Sequence, residues 1–134
     1  MRAFQLLIAI VGFGFMVQGQ AAPTQTLTSG VVVSHAVVGQ GASPTADSTV
    51  RVHYRGTLAN GTEFDSSYKR NAPISFPLRN VIPCWTQGVQ KMKVGGKAKL
   101  TCPAATGYGA SGIPGVIPPN AILTFEVELL GIVR

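Results

Sequence analysis

Between Thr49 and Leu58 apolar and polar positions alternate, with Val50, Val52 and Tyr54 on one side and Arg51, His53 and Arg55 on the other; this is the period of a half-buried strand. The β-branched run from Val31 to Val38 reads as another strand, ended by the cluster Gly39 to Pro44. Asn60-Gly61 is a strong hairpin signal that turns the chain back into Thr62 to Asp65 and brings Phe64 and Asp65 close to Tyr54. Ile74 to Leu78 alternates as a short strand, whose Pro77 requires an edge without ladder bonds. Lys97 to Cys102 alternates again, with Ala98, Leu100 and Cys102 on one side, and so does Ala121 to Val133, with Leu123, Phe125, Val127 and Leu129 inward. Residues 104 to 120, rich in glycine and proline, form a long loop. The period changes only once. Trp85, Val89 and Met92 recur at i, i+4 and i+7 behind Pro83, whose preset φ and missing N–H suit a first helical turn, and Gly95-Gly96 supplies the stop. The pattern predicts an α+β domain in which a curved antiparallel sheet of about five strands wraps around one short helix of two to three turns.

The N-terminus has a different character. Arg2 precedes an apolar run from Leu6 to Val17, and Gly19-Gln20-Ala21 then places small residues where a leader is cut. Residues 1–21 are expected to be a signal peptide cleaved after Ala21, residues 22–30 a flexible lead-in, and residues 31–134 a single domain. The apolar run is too short to cross a bilayer comfortably, which leaves a retained anchor as the alternative. The expected location is outside the cytoplasm, periplasmic or secreted.

Charge changes this picture little. The formal net charge is +6, which invites an anionic partner. Yet Lys91, Lys93, Lys97 and Lys99 flank a helix end and a strand start, where cations form a solvated face, and an exported protein meets little nucleic acid; no nucleic-acid partner is expected. The inventory excludes several chemistries. His35 and His53 have no metal-ligand spacing with the two cysteines, and Gly107 to Gly112 lacks the lysine and following helix of a phosphate loop. No metal and no cofactor are expected. Cys84 and Cys102 are not in a C-x-x-C pair. One lies at the helix start and one on the strand leading into the loop, on one face of the core, so in an oxidising compartment they can be bridged; otherwise they are buried thiols acting as small hydrophobes.

What remains is a set of side chains gathered from distant segments: Tyr54, Phe64, Ile74, Val81, Ile82, Trp85, Tyr108, Ile117 and Phe125. Such a set is either plain core or the lining of a small apolar pocket, and the Tyr54 and Tyr108 hydroxyls and the Asp65 carboxylate fit the second.

The segments that carry these residues are Val52-His53-Tyr54-Arg55-Gly56-Thr57-Leu58, Phe64-Asp65-Ser66-Ser67, Val81-Ile82-Pro83-x-Trp85-x-x-Gly88, Tyr108-Gly109, and Gly115-x-Ile117-Pro118-Pro119-Asn120-Ala121-x-Leu123-x-Phe125 with Val127-Glu128-Leu129-Leu130. In this order, from about Ser29 to the C-terminus, they resemble the FKBP-type peptidyl-prolyl cis-trans isomerases. The resemblance implies a sheet wrapped around a short helix and a pocket that seats a proline ring over Trp85. It implies catalytic roles for Asp65, Tyr54, Tyr108 and Phe64, and substrate contacts from Trp85, Val81, Ile82, Phe125, Ile117, Ile74 and Arg70. The implied activity is rotation of X-Pro bonds in exported proteins, assisting their folding, with proline-containing polypeptides as substrates and tacrolimus- or rapamycin-like macrolides as inhibitors. The short span between Ala21 and Thr49 leaves no room for the helical dimerisation arm of some exported relatives, so a monomer is expected. Three positions depart from the family pattern: Ile74 where phenylalanine is common, Ile113 where some members have histidine, and Cys84 in place of the glycine usual between Pro83 and Trp85.

Overall fold

The computed structural model describes residues 23–133; the expected signal peptide and its cleavage point lie outside them. The strands are β1 (Thr24–Thr26), β2 (Val32–Val37), β3 (Thr49–Leu58), β4 (Glu63–Ser66), β5 (Ile74–Pro77), β6 (Lys97–Cys102) and β7 (Leu123–Val133), with the helix α1 (Pro83–Val89) between β5 and β6. They form one seven-stranded sheet in the order β1-β2-β6-β7-β3-β4, with β5 also on β3. Every pairing is antiparallel.

The long central strand β3 organises the sheet. One of its edges runs against β7 from Thr49 to Leu58; the other is shared, β5 pairing Thr49 to Val52 and β4 pairing Arg55 to Thr57. On the concave face Val50, Val52 and Tyr54 meet Leu123, Phe125, Val127 and Leu129 of β7 and Ala98, Leu100 and Cys102 of β6 in one buried core. The helix lies across that face and buries Cys84, Trp85, Gly88 and Val89. The other face carries the charges that the alternation puts there, including Arg55 bonded to Glu63 at 2.7 Å and Lys69 to Glu63 at 3.0 Å.

The expected antiparallel sheet around one helix is present, with about two more strands than the pattern suggested. One of the additions is β1. Thr24–Thr26 is fully exposed and pairs with Val32 to Ser34, so part of the expected lead-in at 22–30 is a sheet edge. The strand is held by pairing rather than burial: Gln25 Oε1 lies 3.0 Å from Nε2 of His35, which is itself buried. The helix ends at Val89, earlier than the i+7 position of Met92 implied. Beyond it the bonds shorten to Lys91 N–H to Gly88 carbonyl and Met92 N–H to Val89 carbonyl, at 3.0 Å each, and this tighter winding still delivers Met92 to the core at 1 % exposure.

Candidate active site

Tyr54 comes from β3, Phe64 and Asp65 from β4, Phe76 from β5, Val81 and Ile82 from the approach to the helix, Trp85 from its first turn, Tyr108 from the long loop and Phe125 from β7. With Asn80 they line a cavity of about 480 Å3. Trp85, only 4 % exposed, is its floor. Three rings stand edge-on to the indole: Tyr54 at 5.3 Å and 88°, Phe76 at 5.4 Å and 75°, and Phe125 at 5.5 Å and 87° between centroids. Phe64 in turn stands against Phe125 at 5.6 Å and 85°. Edge-to-face packing satisfies the ring quadrupoles, and none of these three rings lies parallel to the indole.

Local sequence explains the construction. The hairpin at Asn60-Gly61 closes with Gly61 at φ +89° and Leu58 N–H on the Thr62 carbonyl at 2.8 Å, which sets the register that carries Phe64 and Asp65 alongside β3. At Gly56 a β-carbon would lie 2.6 Å from Phe64 Cζ and 2.9 Å from Phe125 Cε1, so the two rings can close over the strand only because no side chain is there. Pro83 starts the helix at its first position, and Ile82 precedes it in extended backbone. Among the described residues nothing accepts the Ile82 N–H, leaving a donor at the cavity edge.

The polar wall is a closed cycle. The Tyr54 hydroxyl donates to Asp65 Oδ2 and accepts from Arg70 Nη2 at 3.2 Å; Asp65 Oδ1 accepts from Arg70 Nη1 at 2.9 Å and from the Ser66 N–H at 2.9 Å. Burial pushes the Asp65 carboxyl up, but the bonds from Tyr54, Arg70 and the Ser66 N–H, with the guanidinium charge, outweigh it and hold the group below its ordinary range. Burial first, and the Asp65 carboxylate second, push the Tyr54 phenol up. At neutral pH the site therefore presents a carboxylate, a protonated phenol and a guanidinium with every oxygen of the cycle engaged. Tyr108, 38 % exposed, stands at the mouth.

Of the residues singled out from the sequence, Asp65, Tyr54, Tyr108, Phe64, Trp85, Val81, Ile82 and Phe125 line the cavity, and Arg70 reaches it through Asp65 and Tyr54. Two stand elsewhere. Ile74 sits opposite Val52 and packs on the core, and the cavity is lined instead by Phe76, two residues along on the same strand face, whose longer ring reaches the indole. Ile117, within the loop, is buried in the core, its backbone bridged to Ile113 at 2.8 Å in both directions. The alternation Ile74-Ser75-Phe76 puts Phe76 on the same strand face as Ile74 but does not choose between them; Asn80 had no sequence signal. Cys84, beside Trp85, is bridged to Cys102, eighteen residues on, with Cα atoms 5.6 Å apart, so a covalent link ties the cavity floor to the strand that enters the loop.

The sheet wrapped around one short helix and the aromatic cavity over the helix-borne indole are what the sequence resemblance implies, and comparison with known proteins agrees. Residues 40–130 match the family model described as FKBP-type peptidyl-prolyl cis-trans isomerase. The chain is 48 % identical over 108 residues to FKBP-type peptidyl-prolyl cis-trans isomerase FkpA of Escherichia coli, covering 81 % of this chain and 40 % of that protein. It is 53 % identical over 103 residues to FK506-binding protein 1 of Dictyostelium discoideum, covering 75 % of this chain and 96 % of that one. Among solved structures, the crystal structure of FkpA from Escherichia coli superposes with a TM-score of 0.78 at 47 % identity, over 81 % of this chain and 51 % of that one. That of AtFKBP13 superposes with a TM-score of 0.76 at 33 % identity, over 83 % and 99 %. The chain belongs to the FKBP-type peptidyl-prolyl cis-trans isomerase family. It spans about 40 % of the length of its FkpA relatives from Escherichia coli.

Proposed function

We propose that this chain is a peptidyl-prolyl cis-trans isomerase that rotates X-Pro bonds of exported polypeptides and so assists their folding. The observation that carries the reading is the aromatic box over Trp85 with the Tyr54–Asp65–Arg70 cycle on its wall. The uncatalysed barrier to rotation is about 18–20 kcal/mol and comes from amide resonance. As the bond twists, resonance and charge separation fall, so a dry apolar site favours the twisted amide over the planar one; no nucleophile is needed. A thousand- to millionfold acceleration requires about 4–8 kcal/mol of such differential stabilisation.

In this mechanism Trp85, Phe64, Phe76 and Phe125 seat the proline ring. The Ile82 N–H and the Tyr108 hydroxyl bind flanking carbonyls. Asp65 orients Tyr54 and Arg70 and adds a field at the turning carbonyl. A tacrolimus- or rapamycin-like macrolide would compete for the same cavity, in keeping with the name of the relative FK506-binding protein 1. Action outside the cytoplasm is supported by the leader pattern and by the Cys84–Cys102 bridge, since disulfides persist in oxidising compartments. The working form in this reading is a monomer.

Isomerisation of an X-Pro peptide, followed without a coupling protease and with a macrolide added, tests the proposal. Acceleration that the macrolide suppresses is expected. Peptide binding that shifts Trp85 fluorescence without any acceleration would leave a prolyl-binding module in place of an enzyme.

A further inference from the structure

After Ser66 strand β4 leaves the ladder, just where Tyr54 of β3 still needs partners for its backbone. A single residue supplies both. The Ser67 N–H donates to the Tyr54 carbonyl at 2.9 Å, and the Ser67 Oγ accepts the Tyr54 N–H at 2.7 Å. The hydroxyl thus stands in for a strand carbonyl, and the chain is free to turn away one residue early.

The turn that follows is built on the same residue. Its carbonyl accepts the Arg70 N–H at 3.1 Å and the Ala72 N–H at 3.3 Å, and Asn71 adopts φ +52° as the chain comes round. This winding sends the Arg70 guanidinium back onto Asp65 and the Tyr54 hydroxyl. From the other face of the sheet, His53 Nδ1 lies 2.8 Å from the Ser67 Oγ, and Tyr68 stacks on the imidazole at 4.6 Å and 12°. Ser67 is completely buried, so water cannot replace any of these partners.

We infer that Ser67 is a positioning residue for the isomerisation: from behind the pocket it fixes both ends of the Tyr54–Asp65–Arg70 wall, with its hydroxyl held in place by His53. Hydrogen counting supports the role. With a neutral imidazole whose Nδ1 is bare, Ser67 donates to it. With an imidazolium, Nδ1–H donates and the Ser67 hydroxyl turns to the Tyr54 carbonyl, 3.3 Å away. In both states the Oγ keeps the Tyr54 N–H. Alanine at this position leaves a buried N–H without an acceptor, and the Tyr54 hydroxyl, at the far end of a rigid side chain, moves with the backbone that carries it. Small displacements of this kind lower rates strongly when the group acts on the reacting bond.

The inference rests on the proposal that this wall acts in catalysis, and the experiment separates the two. In Ser67→Ala we expect the turnover constant to fall about threefold or more while peptide affinity, read from Trp85 fluorescence, changes little. The NMR titration of the Asp65 carboxyl carbon should move up toward an ordinary carboxylate as Tyr54 and Arg70 loosen. A folded Ser67→Ala protein with full turnover and an unmoved Asp65 titration overturns the inference. If Asp65→Asn is slow in that event, only the role of Ser67 is lost; if Asp65→Asn also keeps the full rate, the catalytic reading of the wall is lost with it. Should Ser67→Ala not fold, hydrogen exchange of the unaltered protein decides. A Tyr54 amide protected like its β3 ladder neighbours is expected, and one that exchanges as fast as the 68–72 turn overturns the inference.

Discussion

Trp85 and Phe76 hold the apolar side of the pocket, and their truncation should be felt differently. Trp85 is core and floor at once, so Trp85→Ala opens a cavity costing about 3–5 kcal/mol of stability and weakens prolyl-peptide binding; calorimetry and a peptide titration read the two effects. Phe76 is only partly buried and touches the indole and Tyr54 edge-on. Phe76→Ala should cost less, about 1.5–3 kcal/mol, and weaken peptide binding, while Ile74→Ala should leave binding nearly unchanged because Ile74 packs on the core opposite Val52. Equal binding losses for the two variants would contradict the assignment. Most of this site was legible at the residue scale: Tyr54, Trp85 and Phe125 each sit on the apolar side of a clear period, and the Asn60-Gly61 hairpin brings Phe64 and Asp65 beside Tyr54. The choice between Ile74 and Phe76 was not legible, because both share one face of a strand and only packing in three dimensions decides which side chain reaches the indole.

At the scale of elements, burial determined what could be read. Strands β3, β6 and β7 bury one face and alternate visibly, whereas β1 is exposed throughout and exists through its ladder with β2 and the Gln25–His35 bond; a strand made only by backbone pairing leaves no hydrophobic pattern. The helix end was misjudged for a related reason: Met92 is buried as the pattern required, but through i to i−3 turns beyond Val89 rather than a continued helix. The bridge between Cys84 and Cys102 joins the helix to β6 across eighteen residues. On the chain-entropy model it contributes about 3 kcal/mol. Denaturant unfolding of the oxidised and dithiol-reduced protein should differ by that amount, and thiol titration of the unfolded, unreduced protein should find no free thiol. Two free thiols would contradict the bridge.

At the scale of the whole molecule, the proposed export and the charged wall each carry a prediction. Mass spectrometry of the mature protein should find it beginning at Ala22, and an intact Met1 would refute cleavage. The pH response follows from the wall. A carboxylate held below its ordinary value of 3.8 contributes stability above the unfolded-state value, and that contribution is lost as pH falls through the lowered folded value. A phenol held above its ordinary value of 10.0 keeps its contribution until pH rises through the raised folded value. Turnover at saturating peptide should therefore stay level through neutral pH and into the mildly acid range; a decline already at about pH 5–6 would mean that Asp65 titrates above the ordinary carboxylate range. The most direct test of the mechanism is the turnover constant of Asp65→Asn at saturating X-Pro peptide, measured by exchange NMR on protein shown to be folded and to bind peptide as tightly as the parent. The field role of Asp65 predicts a several-fold to tenfold loss, about 0.5–1.4 kcal/mol, and an Asp65→Asn protein that turns the peptide over at the full rate would contradict it.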